Sequence, residues 1–209
     1  MKKFGYKLFW VFIVFSVIGF IIECITYSLE TGSIIIFKGL LYGPFSQIYG
    51  FGAVIMVVYS RIFKKRGVLF MYLSAAIIGS AYEFLSSLLQ EALFGFVSWQ
   101  YYDQALNIDG RTTLYLTVVW GLFGLFIVRY AYPFICRGVE SLPKRLGRAV
   151  SWIFIILLTA DVLITFAAFS RHSERHAGIP PSNRLEAFID KEYPDDFMKS
   201  IKPGIQFKR

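Results

Sequence analysis

The amino-acid sequence predicts an all-α fold, a polytopic membrane bundle of about five transmembrane helices with interfacial helices and a short C-terminal tail. Of the 209 residues, 56% are hydrophobic and only 17% are charged, whereas soluble domains carry roughly 25% charged residues. The net charge of +8 does not indicate nucleic-acid binding, because the basic residues flank long apolar runs as topology signals do.

Five apolar segments have lengths close to the roughly 20 residues with which a helix crosses the hydrocarbon core. They are residues 8–29, 42–63, 68–94, 113–135 and 149–169. Residues 1–170 are therefore predicted to form the transmembrane bundle, and residues 171–209 an extracytoplasmic amphipathic tail.

The first predicted span resembles a signal peptide, because Lys2, Lys3 and Lys7 precede its apolar run. A cleavage site of small residues should then follow, but the run continues into Glu23. We therefore predict a retained helix, followed by a segment at the membrane surface over residues 31–41.

The second predicted span begins with Gly43 and Pro44. Proline removes a backbone donor and clashes with the preceding helical turn. One interpretation is a helix with a proline kink. The other is a broken helix whose exposed backbone helps to line a binding cavity.

Basic residues are distributed unequally between the two sides of the predicted bundle. One side has only Lys38 and Arg111 in its short loops. Cytoplasmic loops carry an excess of Lys and Arg. We therefore predict a multi-pass membrane protein with its N-terminus in the cytoplasm and its C-terminus outside. The twelve basic residues assigned to the cytoplasmic side are Lys2, Lys3, Lys7, Arg61, Lys64, Lys65, Arg66, Arg129, Arg137, Lys144, Arg145 and Arg148.

The tail follows Pro180-Pro181 and has apolar residues at helical spacing, first at Leu185, Phe188 and Ile189. Two interpretations are open. Short amphipathic helices could lie over the outer mouth of the bundle, or the tail could be loosely ordered.

Three acidic residues fall well inside predicted spans: Glu23, Glu83 and Asp161. A charged side chain at the bilayer centre costs on the order of 2.5–3.5 kcal/mol, so each needs a partner, a proton or water. All three are predicted to lie in the outer half of the membrane. They could hold the bundle together through polar helix contacts, or they could line an outward-facing polar cavity.

A polar loop leads into the fourth predicted span. Residues 107–110 read Asn-Ile-Asp-Gly, which favours a turn, and Arg111 stands at the junction with the helix. We expect this loop to form the rim of a site. The candidate residues for binding a substrate or ion are Glu23, Glu83, Asp161, Asn107, Arg111, Tyr49 and Trp120.

His172 and His176 are four residues apart and are weak candidates for a metal site, because two histidines on one helical turn can bind zinc. Exposed histidines at a membrane surface are the plainer interpretation. The sequence contains no Gly-x-x-x-x-Gly-Lys-Ser/Thr phosphate loop, so a nucleotide-driven role would need another subunit. Common hydrolase motifs are also absent from it.

Three blocks of the sequence resemble the bacterial integral membrane proteins described as type IV ABC-transporter permeases, also called CmpB-like. They are Gly19-Phe-Ile-Ile-Glu23, the block from Lys38 to Gly52, and the stretch from Trp99 to Gly121. Gln100, Gln47 and Lys38 depart from the residues usual in the family, which argues against an essential acid at position 100. The resemblance implies a multi-span protein of the cytoplasmic membrane and a role in transport.

Three functional hypotheses remain open from the sequence. The first is a transporter or permease component that binds a small solute, ion or lipid and uses the intramembrane acids. The second is a membrane-embedded enzyme acting on a lipid at the outer leaflet, with a glutamate as base and Arg111 holding an anion. The third is a non-catalytic scaffold or sensor. The expected partners are the lipid bilayer and a second copy or another membrane subunit, without nucleic acid.

Overall fold

The computed structural model describes residues 3–63 and 66–207. Lys2, Lys64 and Lys65, which contribute to the predicted orientation, lie outside the described residues. The helices are α1 (Lys3–Thr31), α2 (Gln47–Ile62), α3 (Val68–Phe94), α4 (Leu114–Phe126), α5 (Tyr132–Ser141), α6 (Lys144–His176), α7 (Arg184–Glu192) and α8 (Asp195–Ile201). The two-residue strands are β1 (Phe96–Val97), β2 (Asn107–Ile108), β3 (Thr112–Thr113) and β4 (Gln206–Phe207).

The predicted all-α membrane bundle is confirmed. Four helical stretches are long and apolar enough to cross a membrane: Lys3–Thr31, Val68–Phe94, Leu114–Ser141 and Lys144–His176. The fifth, α2, is apolar but has only 16 residues. A π-helical segment, Ile127–Ala131, joins α4 to α5. It lies just before Pro133, which cannot supply the backbone donor that a regular helix requires.

The chain before α2 is not helical, so Pro44 neither kinks nor breaks a helix. The helix begins at Gln47, and Gly43 adopts a left-handed conformation with φ +72°. The backbone N–H of Leu41 donates to Thr165 Oγ1 at 3.0 Å, and that of Tyr42 donates to Asp161 Oδ1 at 3.1 Å. Side chains of α6 therefore satisfy backbone groups that a regular helix would have paired internally.

Small residues allow close packing within two helix pairs, α1 with α2 and α3 with α4. A side chain at Gly50 would collide with Ser16 on α1. A side chain at Gly124 would approach Ala75 on α3 to 2.7 Å. Such small residues let helix backbones approach closely in lipid. A buried cluster that includes Val11, Met56 and Ile127 fills the space between the pairs, and many outward apolar side chains of the long helices are exposed.

The end of the bundle that carries residues 95–113 is capped by the C-terminal tail, and we call it the loop end. Strand β4 pairs antiparallel with β1, with Phe207 opposite Phe96. Met198 and Ile201 are buried there against Phe169. The backbone N–H of Lys38 donates to the Ile201 carbonyl at 2.8 Å.

Ion pairs attach the tail to the last turns of α6. Arg171 binds both carboxylate oxygens of Asp190, at 3.0 and 2.7 Å, and Arg175 binds Asp190 and Asp195. Hydrogen bonds from Arg171 and Arg175 lower the pKa of the Asp190 carboxyl below its ordinary value. Of the two interpretations of the tail, the structure shows packed helices.

Candidate functional site

A cavity of about 520 Å³ lies at the loop end, between the α1–α2 pair and the α3–α4 pair. Exposed side chains such as Glu30 and Gln104 stand at its margin, and the buried side chains of Glu83 and Trp120 lie within it. The lining residues are Ile22, Glu23, Thr26, Tyr27, Glu30, Phe37, Ile48, Tyr49, Glu83, Ser98, Trp99, Gln100, Tyr101, Gln104, Leu116, Val119, Trp120, Phe123, Gly204 and Gln206. The first four helices, the polar loop and the tail therefore all contribute to one chamber.

Glu83 of α3 is held in the cavity wall by three uncharged donors. Its Oε2 accepts from the Thr112 hydroxyl at 2.8 Å and from the Trp120 indole N–H at 3.2 Å. Its Oε1 accepts from the Tyr101 hydroxyl at 3.4 Å. The residue is only 6% exposed. Donors of this kind stabilise a carboxylate without neutralising its charge.

Glu23 of α1 also lines the cavity, and one of its carboxylate oxygens accepts no hydrogen bond from the described residues. Its Oε2 is buried and has no hydrogen-bond partner within residues 3–63 and 66–207. The Ser46 hydroxyl and the charge of Lys202 act on this carboxyl, and neither residue lines the cavity. Buried polar atoms are nearly always hydrogen-bonded in folded proteins, so an unsatisfied carboxylate oxygen at a cavity indicates a place for a ligand, a proton or water.

Aromatic rings form much of the remaining wall. Phe123 meets Tyr49 edge to face, with ring centroids 6.4 Å apart, and meets Trp120 at 5.7 Å. A side chain at Gly79 or Gly52 would press against the Trp120 indole. The two glycines therefore leave the space that the indole occupies, and Trp120 is fixed where its N–H reaches Glu83.

The predicted rim residue Arg111 is not a lining residue of the cavity. Its guanidinium is buried and bonds to Glu91 at 2.5 Å, to Asp109 at 2.8 Å and to Ser87 at 3.1 Å. These contacts join the polar loop to the last turns of α3. Arg111 therefore positions the loop that carries Tyr101 and Thr112 to Glu83.

Asn107 also stabilises the loop from within. Its side-chain oxygen accepts from the Gly110 N–H at 3.0 Å, and its amide donates to the Gln104 carbonyl at 2.8 Å. Asp109 and Gly110 both have positive φ angles, which Asn, Asp and Gly adopt at low cost. The predicted turn is present. Asn107 stabilises the conformation of this turn and does not line the cavity.

Asp161, the third intramembrane acid, lies apart from the cavity. Its Oδ1 accepts from the Tyr42 backbone N–H at 3.1 Å and from the Thr165 hydroxyl at 3.2 Å. Of the seven predicted site residues, the structure brings Glu23, Glu83, Tyr49 and Trp120 into one chamber. It places Asp161, Asn107 and Arg111 elsewhere.

The two histidines contact the tail. His172 Nδ1 lies 2.8 Å from Asp195 Oδ1, and the His176 ring stacks on Phe207 at 3.8 Å. The described part of the chain contains no group of three or more His, Cys, Asp or Glu side chains arranged to hold a metal ion.

Sequence reasoning missed several residues that act on the acids, among them Thr112 and Lys202. Thr112 is adjacent to the predicted rim residue Arg111, and its position after a turn could have marked it as a donor. Lys202 follows the last tail helix and is buried, with its ammonium 5.6 Å from the ring centres of Phe37 and Phe169. No local pattern predicts that contact, because it depends on the folding of the whole tail.

These features define a multi-pass α-helical membrane protein with an acidic, aromatic cavity at one end of its bundle. The chain belongs to the family described as Putative ABC-transporter type IV (ABC_trans_CmpB), whose model matches residues 10–166. The matched residues include every cavity-lining residue of α1 to α4, and the resemblance found in the sequence is confirmed. It is thus an ABC-transporter-related membrane protein. The chain matches no curated protein and no solved structure.

Proposed function

We propose that this protein is a permease component of a bacterial transport system and binds a small solute, ion or lipid in the cavity at its loop end. The observation that carries the proposal is the meeting of Glu23 and Glu83. These acids come from separate apolar helices and share one cavity of about 520 Å³. Small-molecule sites typically have volumes of roughly 300–1,000 Å³.

The energetics of the two acids favour a binding role over a purely structural one. Neither Glu23 nor Glu83 forms an ion pair with any residue of the described chain. Keeping a carboxylate within a membrane helix without a paired charge is costly. Binding of a ligand or a proton would account for that cost. Acids within the membrane helices of transporters commonly bind ions or relay protons.

The cavity is proposed to open on the extracytoplasmic side of the inner membrane. The support is the distribution of basic residues, since Arg61, Arg129 and Arg148 lie at the opposite end from the cavity, as expected for cytoplasmic loops. The sequence has no phosphate-binding loop, so energy from ATP would have to come from a partner subunit.

The contacts at Arg111 reduce the support for the alternative role as an enzyme. That hypothesis used Arg111 to hold a phosphate or carboxylate, but its guanidinium already binds Glu91, Asp109 and Ser87. The scaffold hypothesis expected tightly packed helices with no cavity at the acids. The observed chamber supports binding instead.

Cysteine labelling at two adjacent valines tests whether the cavity is open to water. Val119 lines the cavity and Val118 does not, although both belong to α4 and are similarly exposed, at 39% and 44%. Each is replaced by cysteine in a background where Cys24 and Cys136 are serine, and the protein is placed in lipid nanodiscs. Neutral methyl methanethiosulfonate is the reagent.

The thiolate is the reactive form, and a thiol in apolar surroundings is less ionised. We expect labelling at position 119 to be roughly tenfold faster than at position 118. Equal rates at the two positions would overturn the proposal, because they would show that water does not enter the chamber. Labelling of spheroplasts with a charged, impermeant reagent then tests the proposed side.

A further inference from the structure

We propose that the ligand of this cavity is an organic cation with a methylated or alkylated ammonium group. The inference rests on the proposed binding function and specifies its ligand class. It comes from three properties of the chamber: the sign of its charges, its aromatic walls, and the way its carboxylates are held.

The charges of the lining all have one sign. The described lining residues include three glutamates, Glu23, Glu30 and Glu83, and no Lys, Arg or His. The nearby basic residue Lys202 acts on Glu23 from outside the lining. A chamber with acidic walls favours cations and repels anions.

The aromatic walls favour an organic cation over a metal ion. Tyr49, Trp120 and Phe123 form a connected group of rings, and Tyr27 and Tyr101 line the same chamber. Ammonium groups bind to the faces of such rings, which is how aromatic cages recognise quaternary amines. A metal ion would need several converging oxygen or nitrogen ligands, and the described residues contain no group of three His, Cys, Asp or Glu side chains that could hold one.

Neither carboxylate is neutralised by an ion pair with a described residue. Glu83 is oriented by the neutral donors Thr112, Trp120 and Tyr101, and Glu23 keeps a buried oxygen without a hydrogen bond. A bound cation would offset the cost of keeping these groups away from water. Trp120 would contact the cation with its ring while its N–H orients Glu83.

The cation could enter from two sources with the same chemistry. It could be a dissolved amine, or it could be the trimethylammonium head group of a lipid. The second source has a route, because the exposed side chains of Ile22 on α1 and Val119 on α4 line the cavity as well as the outer surface.

Tryptophan fluorescence of the full chain in nanodiscs tests the ligand class. The lipids are phosphatidylethanolamine and phosphatidylglycerol, which lack trimethylammonium groups. The titrants are choline and its neutral analogue 3,3-dimethylbutan-1-ol, which has the same shape without the charge. We expect choline to change the fluorescence saturably and to bind at least about tenfold more tightly than the alcohol.

Matched variants assign the binding to the cavity. Glu83→Gln and Glu23→Gln are each expected to weaken choline binding by about tenfold, whereas Glu192→Gln, at an exposed position on α7, should leave it unchanged. Trp120→Phe should remove most of the fluorescence change, and Trp152→Phe, on the outer surface of α6, should not. Circular dichroism verifies that each variant is folded.

A second set of nanodiscs made of phosphatidylcholine separates the two sources. Strong competition by that lipid would identify a head group as the ligand, and unchanged choline binding would identify a dissolved amine. Either result supports an alkylated ammonium group as the ligand.

Equal affinity for choline and the alcohol, or no saturable response to choline, would overturn the inference. The proposed function would survive that result if cysteine at position 119 still labels faster than cysteine at position 118. Equal labelling at those two positions would instead overturn the proposed function itself.

Discussion

The indole N–H of Trp120 on α4 donates to Oε2 of Glu83 on α3 at 3.2 Å. The same oxygen accepts from the Thr112 hydroxyl at 2.8 Å. The α3–α4 contact therefore fixes the carboxylate, and the loop before α4 supplies a second donor to it. The geometry of the site depends on both the helix packing and the loop conformation.

The close approach of Trp120 to α3 requires glycine at position 79. A Cβ there would lie 2.5 Å from the indole Cγ, so Gly79→Ala should displace Trp120 from Glu83. Overpacking of this kind costs roughly 1–3 kcal/mol, and we expect a lower unfolding temperature and a shifted tryptophan emission spectrum. Gly138→Ala is the matched control, because nothing lies within 4 Å of a Cβ at that position. Equal melting temperatures for the two variants would contradict the proposed contact.

The Thr112 hydroxyl orients Glu83, and valine has the same shape without the donor. We expect Thr112→Val to reduce the free energy of unfolding by roughly 1.5–3 kcal/mol, as is typical for a hydrogen bond to a charged group. Denaturant unfolding in detergent measures the loss. Thr159→Val, at an exposed position on α6, should change stability little. If both variants unfold alike, the Thr112 bond contributes no more than an exposed hydroxyl.

Arg111 attaches the polar loop to α3 through several directed bonds at once. Lysine keeps the charge but loses the planar set of donors, so Arg111→Lys should release the loop. Hydrogen exchange of residues 99–113 should become about tenfold faster, which corresponds to 1.4 kcal/mol. Exchange in α6 should not change. Arg129→Lys, at an exposed position, is the control, and an unchanged loop in Arg111→Lys would rule out this anchoring role.

Acid should detach the tail through Asp190. Hydrogen bonds and charge from Arg171 and Arg175 lower its pKa below the ordinary value of 3.8. A lowered folded-state pKa contributes stability that is complete above 3.8 and is lost as the pH falls through the folded-state value. We therefore expect protease cleavage within residues 177–207 to be slow at neutral pH and to accelerate below about pH 4.

Asp190→Asn is the control for the pH effect. The variant lacks the titrating group, so its tail should be cleaved faster at neutral pH and should respond less to acid. An identical pH profile for the variant and the native chain would assign the transition to another group.

The bounds of α3 were predicted well because glycines mark both of its ends. The predicted range 68–94 coincides with α3, which lies between Gly67 and the left-handed Gly95. The start of α2 was predicted at residue 42, five residues too early, because Tyr42 and Phe45 extend the apolar run into the turn before the helix. Hydropathy does not distinguish a side chain facing lipid from one facing protein, so a compact turn was included in the span.

Only part of the site was predicted, because the sequence does not show which side chains face each other in the folded bundle. The sequence placed Glu23, Glu83 and Asp161 in the outer half of the membrane, but it does not determine which helices become neighbours. Asp161 has a comparable position along α6, yet that helix contributes no residue to the cavity wall. The partners of Arg111 depend on the conformation of the whole loop, which a charge pattern does not define.

Removing the charge of Lys202 is expected to increase the affinity of the cavity for choline. Its side chain is buried beside Phe37 and Phe169. Burial lowers the pKa of Lys202, while the charge of Glu23 acts in the opposite direction. A positive charge on Lys202 attracts the Glu23 carboxylate and so offsets part of the negative charge that a ligand would experience there.

Lys202→Met keeps an unbranched side chain in the same space and removes the charge. We expect choline to bind about tenfold more tightly to this variant, a change of 1.4 kcal/mol. Combining it with Glu23→Gln should cancel the gain, because the lysine acts through that carboxylate. Lys199→Met, at an exposed position on α8, should not change the affinity. Weaker choline binding in a folded Lys202→Met protein would show that the lysine supports the site instead of opposing a bound cation.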